Sequence, residues 1–249
     1  MKVVFLGPHF DDCILSCGEL IDKYIQEGAD VKAVTFFTGY PSSLEFSDAA
    51  KQFHSNCFLD ERSMDYRAEE DKAAMNFLSC EYKHIGLYEC LYRKDHQNHW
   101  LYPDLKNIYH MEDFDNGEID TIVDLILTEI KCADVVYAPM GLGNYADHIL
   151  LSKAAEKAAK KADVKFYFYE EIPYVCYYYK NRKKSNWGNG MKPTIIEVSE
   201  NNWKRKLEAI KIYRSQLHIL WKNETQRLSQ LKDISYKYSL KNSLRVWEL

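Results

Sequence analysis

Hydrophobic positions in this chain fall into two alternating rhythms. Short runs rich in β-branched and aromatic residues occur at 3–6, 31–37, 82–85, 135–138, 164–169 and 194–198. The first closes on Gly7-Pro8 and the fourth on Pro139-Met140-Gly141, turn chemistry that marks the ends of buried strands. Between these runs the apolar residues recur at helical spacing. Ile14, Leu15, Leu20, Ile21 and Ile25 share one stripe that stops before Gly28, and positions 119, 122, 123, 126, 127 and 130 make a second. Helices are also expected over 64–78 and 147–160, with one long helix over 201–220. Residues 38–56 read as loop, and 87–117 are polar and aromatic with no clear period.

Strands that alternate with helices build βαβ units. The expected fold is therefore α/β: a doubly wound, mainly parallel sheet with helices on both faces. Residues 1–170 form the core of that sheet, and 171–249 add strands and a C-terminal helix to the same body. No internal repeat, low-complexity tract or linker divides the chain, so 1–249 is read as a single domain.

Composition narrows the partners. The 249 residues are 46% apolar and 28% charged, which excludes a disordered or fibrous chain. The formal charge of −4 leaves no basic excess for phosphates, so nucleic acid is not expected as a main partner. No run approaches the roughly 18 apolar residues of a membrane span, and residues 3–6 are too short for a signal segment. The seven cysteines (13, 17, 57, 80, 90, 132 and 176) form no Cys-x-x-Cys pair. They are read mostly as buried reduced thiols of a cytoplasmic protein. Asn223-Glu224-Thr225 fits a glycosylation sequon, which chance explains in that setting.

Candidate chemistry sits just past two of the strands. One segment is Gly7-Pro8-His9-Phe10-Asp11-Asp12; the other is Gly141-Leu142-Gly143-Asn144-Tyr145-Ala146-Asp147-His148. Open parallel sheets bind ligands beyond the carboxyl ends of their strands, where strand order reverses, and these two loops would face one crevice there. His9, Asp12 and His148 would then make a His₂Asp site for zinc or another divalent metal, leaving Asp11 to handle protons. The bland alternatives stay open: Asp11 and Asp12 as helix N-terminal residues, Asp147 as a cap, His148 as a packed helix residue. Asp95, His96 and His99, with Trp100, Tyr102 and Tyr92, read as a solvated loop rather than a cleft wall or second metal site. Tyr174 and Tyr177–179 read as strand packing rather than a sugar platform. Lys180, Arg182, Lys183 and Lys184 read as a solvated turn.

These residues resemble the PIG-L/LmbE-like deacetylase family. Pro8-His9-Phe10-Asp11-Asp12 is similar to its first motif, Asp147-His148 to its second, and Arg67-Ala68-Glu69-Glu70 to its Arg-x-x-Glu helix. Tyr169-Glu170-Glu171-Ile172-Pro173-Tyr174 and the stretch with Trp203, Lys206, Tyr213, Ser215 and Gln216 also look familial. The resemblance implies a Rossmann-like fold and zinc-dependent removal of acetyl or acyl groups from an amino-sugar or glycoconjugate. It implies His9, Asp12 and His148 as metal ligands, Asp11 as base and later proton donor, and Arg67 as a substrate contact. The alternative for Arg67 is a surface ion pair with Asp71. One position departs: the family's His three residues before the ligand His is Tyr145 here. A phenol donates one hydrogen bond but shuttles protons poorly near neutral pH. Asp147, which would orient that His, is left to bond Tyr145 or His9, or to cap its helix. Tyr145 motivates a rival reading, a non-catalytic sugar- or metal-binding relative. A magnesium-dependent phosphoryl-transfer site is a second rival, disfavoured by the two imidazoles. The oligomeric state is not readable.

Overall fold

The computed structural model describes residues 1–41, 45–59, 62–180 and 190–249, with no side-chain description at 113–115 and 178–180. Seven strands form one sheet in the order β3-β2-β1-β4-β5-β7-β6. They are β1 (Lys2–Gly7), β2 (Asp30–Thr35), β3 (Glu81–His84), β4 (Val135–Pro139), β5 (Lys165–Tyr169), β6 (Lys192–Glu197) and β7 (Ser243–Glu248). The first five pair in parallel, while β7 runs antiparallel to both β5 and β6. The chain winds outward from β1 to β3, then returns to place β4 on the other side of β1. That reversal between β1 and β4 defines a mainly parallel, Rossmann-like α/β sheet.

Strand β1 shows why helices cover both faces. Val3 and Phe5 enter one core with α1 (Asp12–Gln26), α3 (Ser63–Leu78) and α7 (Glu200–Ile210). Val4 and Leu6 enter the other with α4 (Ile119–Glu129) and α5 (Ala146–Ala159). A buried parallel strand is apolar on both sides because each side meets a helix layer. A third cluster roofs the carboxyl ends of the strands: Phe10, Ala49 and Ala50 pack with Tyr92, Tyr102 and Ile108.

Three local expectations are corrected. Residues 38–56 contain a helix, α2 (Asp48–Asn56), capped by Ser47, whose hydroxyl accepts the Ala50 N–H at 3.0 Å. The long helix over 201–220 breaks at 211–213 into α7 and α8 (Arg214–Leu220). Tyr213 turns inward there and its hydroxyl donates to Asp71 at 2.8 Å, a contact 142 residues away that no local pattern announces. Tyr174–Lys180 is helix α6, not strand; Pro173 precedes its first turn, where a missing N–H costs nothing. A further helix, α9 (Glu224–Ser235), follows α8, and Asn223 of the sequon caps it by accepting the Gln226 N–H at 2.9 Å. The Tyr178, Tyr179 and Lys180 side chains, with Arg182, Lys183 and Lys184, lie outside the described residues.

None of the seven cysteines forms a disulfide, and all but Cys132 are buried. No helix among the described residues is long and apolar enough to cross a membrane.

Candidate metal centre and active-site cleft

Two tight turns build the site. Gly7 ends β1 where a Cβ would meet Cys13 Sγ at 2.6 Å, so only glycine lets α1 start this close to the strand. Asp11 then adopts φ +88, a left-handed backbone tolerated by aspartate more readily than by bulky residues. Beyond β4, Gly143 has φ +87 and a Cβ there would strike the Tyr174 ring at 2.6 Å. The chain then enters α5, whose first turn carries Asp147 and His148.

These turns bring His9, Asp12 and His148 together, with one ligand atom from each lying within 4.8 Å of the others. His9 Nδ1 is 3.5 Å and His148 Nε2 is 3.4 Å from the same Asp12 Oδ2. Two atoms each bound at about 2.1 Å to a tetrahedral ion sit about 3.4 Å apart. The Asp12 oxygen also accepts the His9 backbone N–H at 2.9 Å, which fixes its carboxylate.

A buried carboxylate stands behind each imidazole. Asp147 Oδ2 is 2.8 Å from His9 Nε2, and Glu171 Oε1 is 3.1 Å from His148 Nδ1. Carboxylates accept, so those nitrogens carry the protons, and Nδ1 of His9 and Nε2 of His148 keep lone pairs facing Asp12. His148 Nε2 is buried with no hydrogen-bond partner. Two imidazole nitrogens, one carboxylate oxygen and an orphaned lone pair are a donor set that fits zinc.

The electrostatics agree. Burial works against charge on His9, but Glu89, Asp12 and Asp147 outweigh it and lift its pKa to about 10. A divalent cation in place of that proton satisfies the same carboxylates. Burial likewise opposes ionisation of Asp12, yet His148 and His9 hold its carboxyl below the usual range. Asp147 is fully buried and still held well below it, by the Arg93 guanidinium and then His9. Burial pushes Glu171 up, against the pull of His148 and the Leu142 N–H.

Asp11 differs from its neighbour. Its carboxyl makes no hydrogen bond to the described residues, lines the cleft, and is pushed well above the usual carboxylate range by burial and by the Asp12 charge. The cleft has a volume of about 510 Å³. Tyr145, Tyr109 and Tyr174 line it, as do Ile219 and Leu220 of α8. The Tyr145 ring packs edge-on to His9 with centroids 5.3 Å apart, and burial pushes its phenol well above the ordinary value.

Arg67 is buried and lines the cleft, but its ion pair is with Glu89 at 2.6 Å rather than with Asp71. Its Nε is buried without a hydrogen-bond partner. Asp147 neither caps α5 nor bonds Tyr145; it faces His9, the Cys90 N–H and Arg93. Asp95 and His99 stay in an exposed turn, while Tyr92 and Tyr102 are core. The sequence reading assigned no role to Glu171, Glu89 or Arg93. The Glu170-Glu171-Ile172-Pro173 segment offered a signal for Glu171; the other two lie in the aperiodic 87–117 stretch.

Such a His₂Asp group, at the switch point of a Rossmann-like sheet, is a donor set that could hold a metal ion in an α/β protein. The chain belongs to the PIG-L family, described as GlcNAc-PI de-N-acetylase, whose model matches residues 4–159. It is 25% identical over 187 residues to 2'-N-acetylparomamine deacetylase of Niallia circulans, a match covering 69% of this chain and 66% of that protein. The zinc-inhibited form of teicoplanin deacetylase Orf2 superposes with a TM-score of 0.89 at 23% identity, over 100% of this chain and 97% of the other. The A40926 pseudoaglycone deacetylase Dbv21 gives 0.81 at 22%, over 99% and 96%. N,N'-diacetylchitobiose deacetylase from Pyrococcus horikoshii gives 0.63 at 16%, over 100% and 83%. These likenesses show a shared fold.

Proposed function

We propose that this protein is a zinc-dependent N-deacetylase that hydrolyses the acetyl amide of an amino sugar within a small glycoconjugate. The observation that carries this is the convergence of His9 Nδ1, Asp12 Oδ2 and His148 Nε2 at the cleft floor, with an unpaired Asp11 carboxyl beside them. Family membership and a relative named as an acetylparomamine deacetylase support the substrate class.

His9, Asp12 and His148 would hold the ion. Zinc, when bound, would polarise the amide carbonyl and acidify a water. Asp11, whose carboxyl lines the cleft and makes no hydrogen bond to the described residues, takes the proton of the attacking water at its carboxylate. It then returns that proton to the departing nitrogen, so amide and water leave as acetate and amine. Tyr145 stays a neutral phenol and donates a hydrogen bond to the carbonyl oxygen as charge grows there. Arg67, which lines the cleft, offers its guanidinium to a substrate hydroxyl.

Acetate release from N-acetylglucosamine derivatives, with chelator and then with zinc restored, tests this reading. Asp11→Asn is expected to lower the zinc-restored rate by at least about 10²-fold with metal content intact. Full activity in that variant would remove Asp11 as the base. The rival reading, sugar binding without turnover, rests on Tyr145, and Tyr145→His separates the two. A gain from no activity favours the degenerate relative.

A further inference from the structure

Behind His9 a third charge enters the site from the irregular stretch after β3. Arg93 is nearly buried, with a side-chain exposure of 10%, and its guanidinium nitrogen lies 2.6 Å from Asp147 Oδ1. The same guanidinium stacks between the rings of Phe37 and Tyr102, at 5.5 and 5.6 Å from their centroids. Tyr102 is fully buried, so this stack is a rigid seat. The other Asp147 oxygen, Oδ2, takes the His9 Nε2 at 2.8 Å and the Cys90 N–H at 3.0 Å.

Each part of this chain has a physical reason. A carboxylate with no solvent exposure keeps its charge only beside a compensating cation. His9 cannot supply that charge while it serves as a neutral ligand through Nδ1. Arg93 can, since a guanidinium stays protonated at any working pH. The contact is carried by charge rather than by an aligned hydrogen bond, because Oδ1 takes no hydrogen bond of good geometry. The pull on Oδ1 leaves Oδ2 facing His9, and the Oδ2 contact sets the ring so that Nδ1 faces Asp12 at 3.5 Å. Outer partners of a ligating imidazole commonly change metal affinity tenfold or more.

We propose that Arg93 is a positioning residue of the metal centre, acting through Asp147 to aim the His9 imidazole at the ion. This rests on His9, Asp12 and His148 being the metal site. It adds a residue from outside both metal-bearing loops, 54 positions before Asp147.

The test is metal affinity rather than turnover. Zinc and cobalt(II) would be titrated against a competing chelator in the full-length protein. Variants are Arg93→Met, Arg93→Lys, Asp147→Asn, the Arg93→Met/Asp147→Asn double variant, and His9→Ala. Arg93→Met is expected to weaken binding by about 10–100-fold. Arg93→Lys should restore most of it, because the charge is retained. In the Asp147→Asn background, Arg93→Met should add no further loss, since an amide needs no counter-charge. A purely structural Arg93 would instead give the same loss in both backgrounds, and that result overturns the proposal. Wild-type affinity in Arg93→Met overturns it as well. Should Arg93→Met fail to fold, the comparison of Asp147→Asn with the double variant decides: equal affinities support the proposal, and a further tenfold drop sinks it. If His9→Ala loses metal while Arg93→Met keeps it, only this inference falls. If His9→Ala binds metal like the wild type, the metal site itself is misassigned and the inference falls with it.

Discussion

Glu171 shows how one side chain governs a site it does not line. Its carboxylate gathers three backbone N–H groups, from Met140, Gly141 and Leu142, while holding the Nδ1 proton of His148. It therefore shapes the loop after β4 and sets the histidine tautomer together. Glu171→Gln keeps the size but lets the amide present an N–H to Nδ1, which favours the other tautomer and spoils the lone pair at Nε2. Metal affinity is expected to fall about 10–100-fold, measured by chelator competition. Tyr145 works at the same scale. Tyr145→Phe removes the only polar atom of that side chain, and kcat is expected to drop about 10²–10³-fold with little change in zinc binding, provided the phenol serves as the oxyanion donor. An unchanged kcat would take Tyr145 out of the chemistry.

At the scale of elements, α4 is tied to the sheet by a carboxylate on its last turn. Glu129 pairs with Lys32 of β2 at 2.9 Å and with Lys83 of β3 at 2.5 Å. Burial resists its ionisation, yet Lys83 and Lys32 hold its pKa below the usual value. A depressed folded pKa contributes stability above the unfolded pKa of about 4.3 and loses it as pH falls through the folded value. Glu129→Gln is thus expected to lower Tm by a few degrees at pH 7, for a loss of about 1 kcal/mol, and by less below about pH 4. Thermal melts at the two pH values check this, and a deficit that grows in acid would contradict it. The element boundaries carry a lesson of the same kind. Helix α2 is nine residues long, too short for a periodic stripe, although Ser47 before Asp48 and Ala49 was a legible start signal. The break between α7 and α8 has no Gly or Pro to announce it; Tyr213 sits at the break and bonds Asp71, a contact only the fold supplies.

For the whole molecule, the proposed ion would join the β1–α1 turn to α5, parts of the chain more than a hundred residues apart. A ligand that binds only the folded state stabilises it, by about 2.7 kcal/mol at one hundred times its Kd. Adding chelator to zinc-loaded protein is expected to lower Tm by about 5–10 °C, and zinc should no longer shift the Tm of His148→Ala. Equal melting of loaded and stripped wild type would count against a metal bridging these elements. The thiols report on the same packed body. Burial pushes Cys57 up to about 11, and burial foremost lifts Cys80 to about 12, so little thiolate exists at pH 8. An alkylating reagent at pH 8 is expected to label exposed Cys132 first, and the other six only as the protein opens.

The sequence by itself determined the alternation of strands and helices and the two loops that carry His9, Asp11, Asp12, Asp147 and His148. Those features are local: a period of two or 3.6, or a motif within six residues, is complete without the rest of the chain. Tertiary structure alone decided which nitrogen of each imidazole faces Asp12, that Arg67 pairs with Glu89, that Glu171 stands behind His148, and that Arg93 stands behind Asp147. Each of those outcomes depends on a contact between residues 22 to 138 positions apart, made by burial that leaves a charge no partner but the one the fold brings to it.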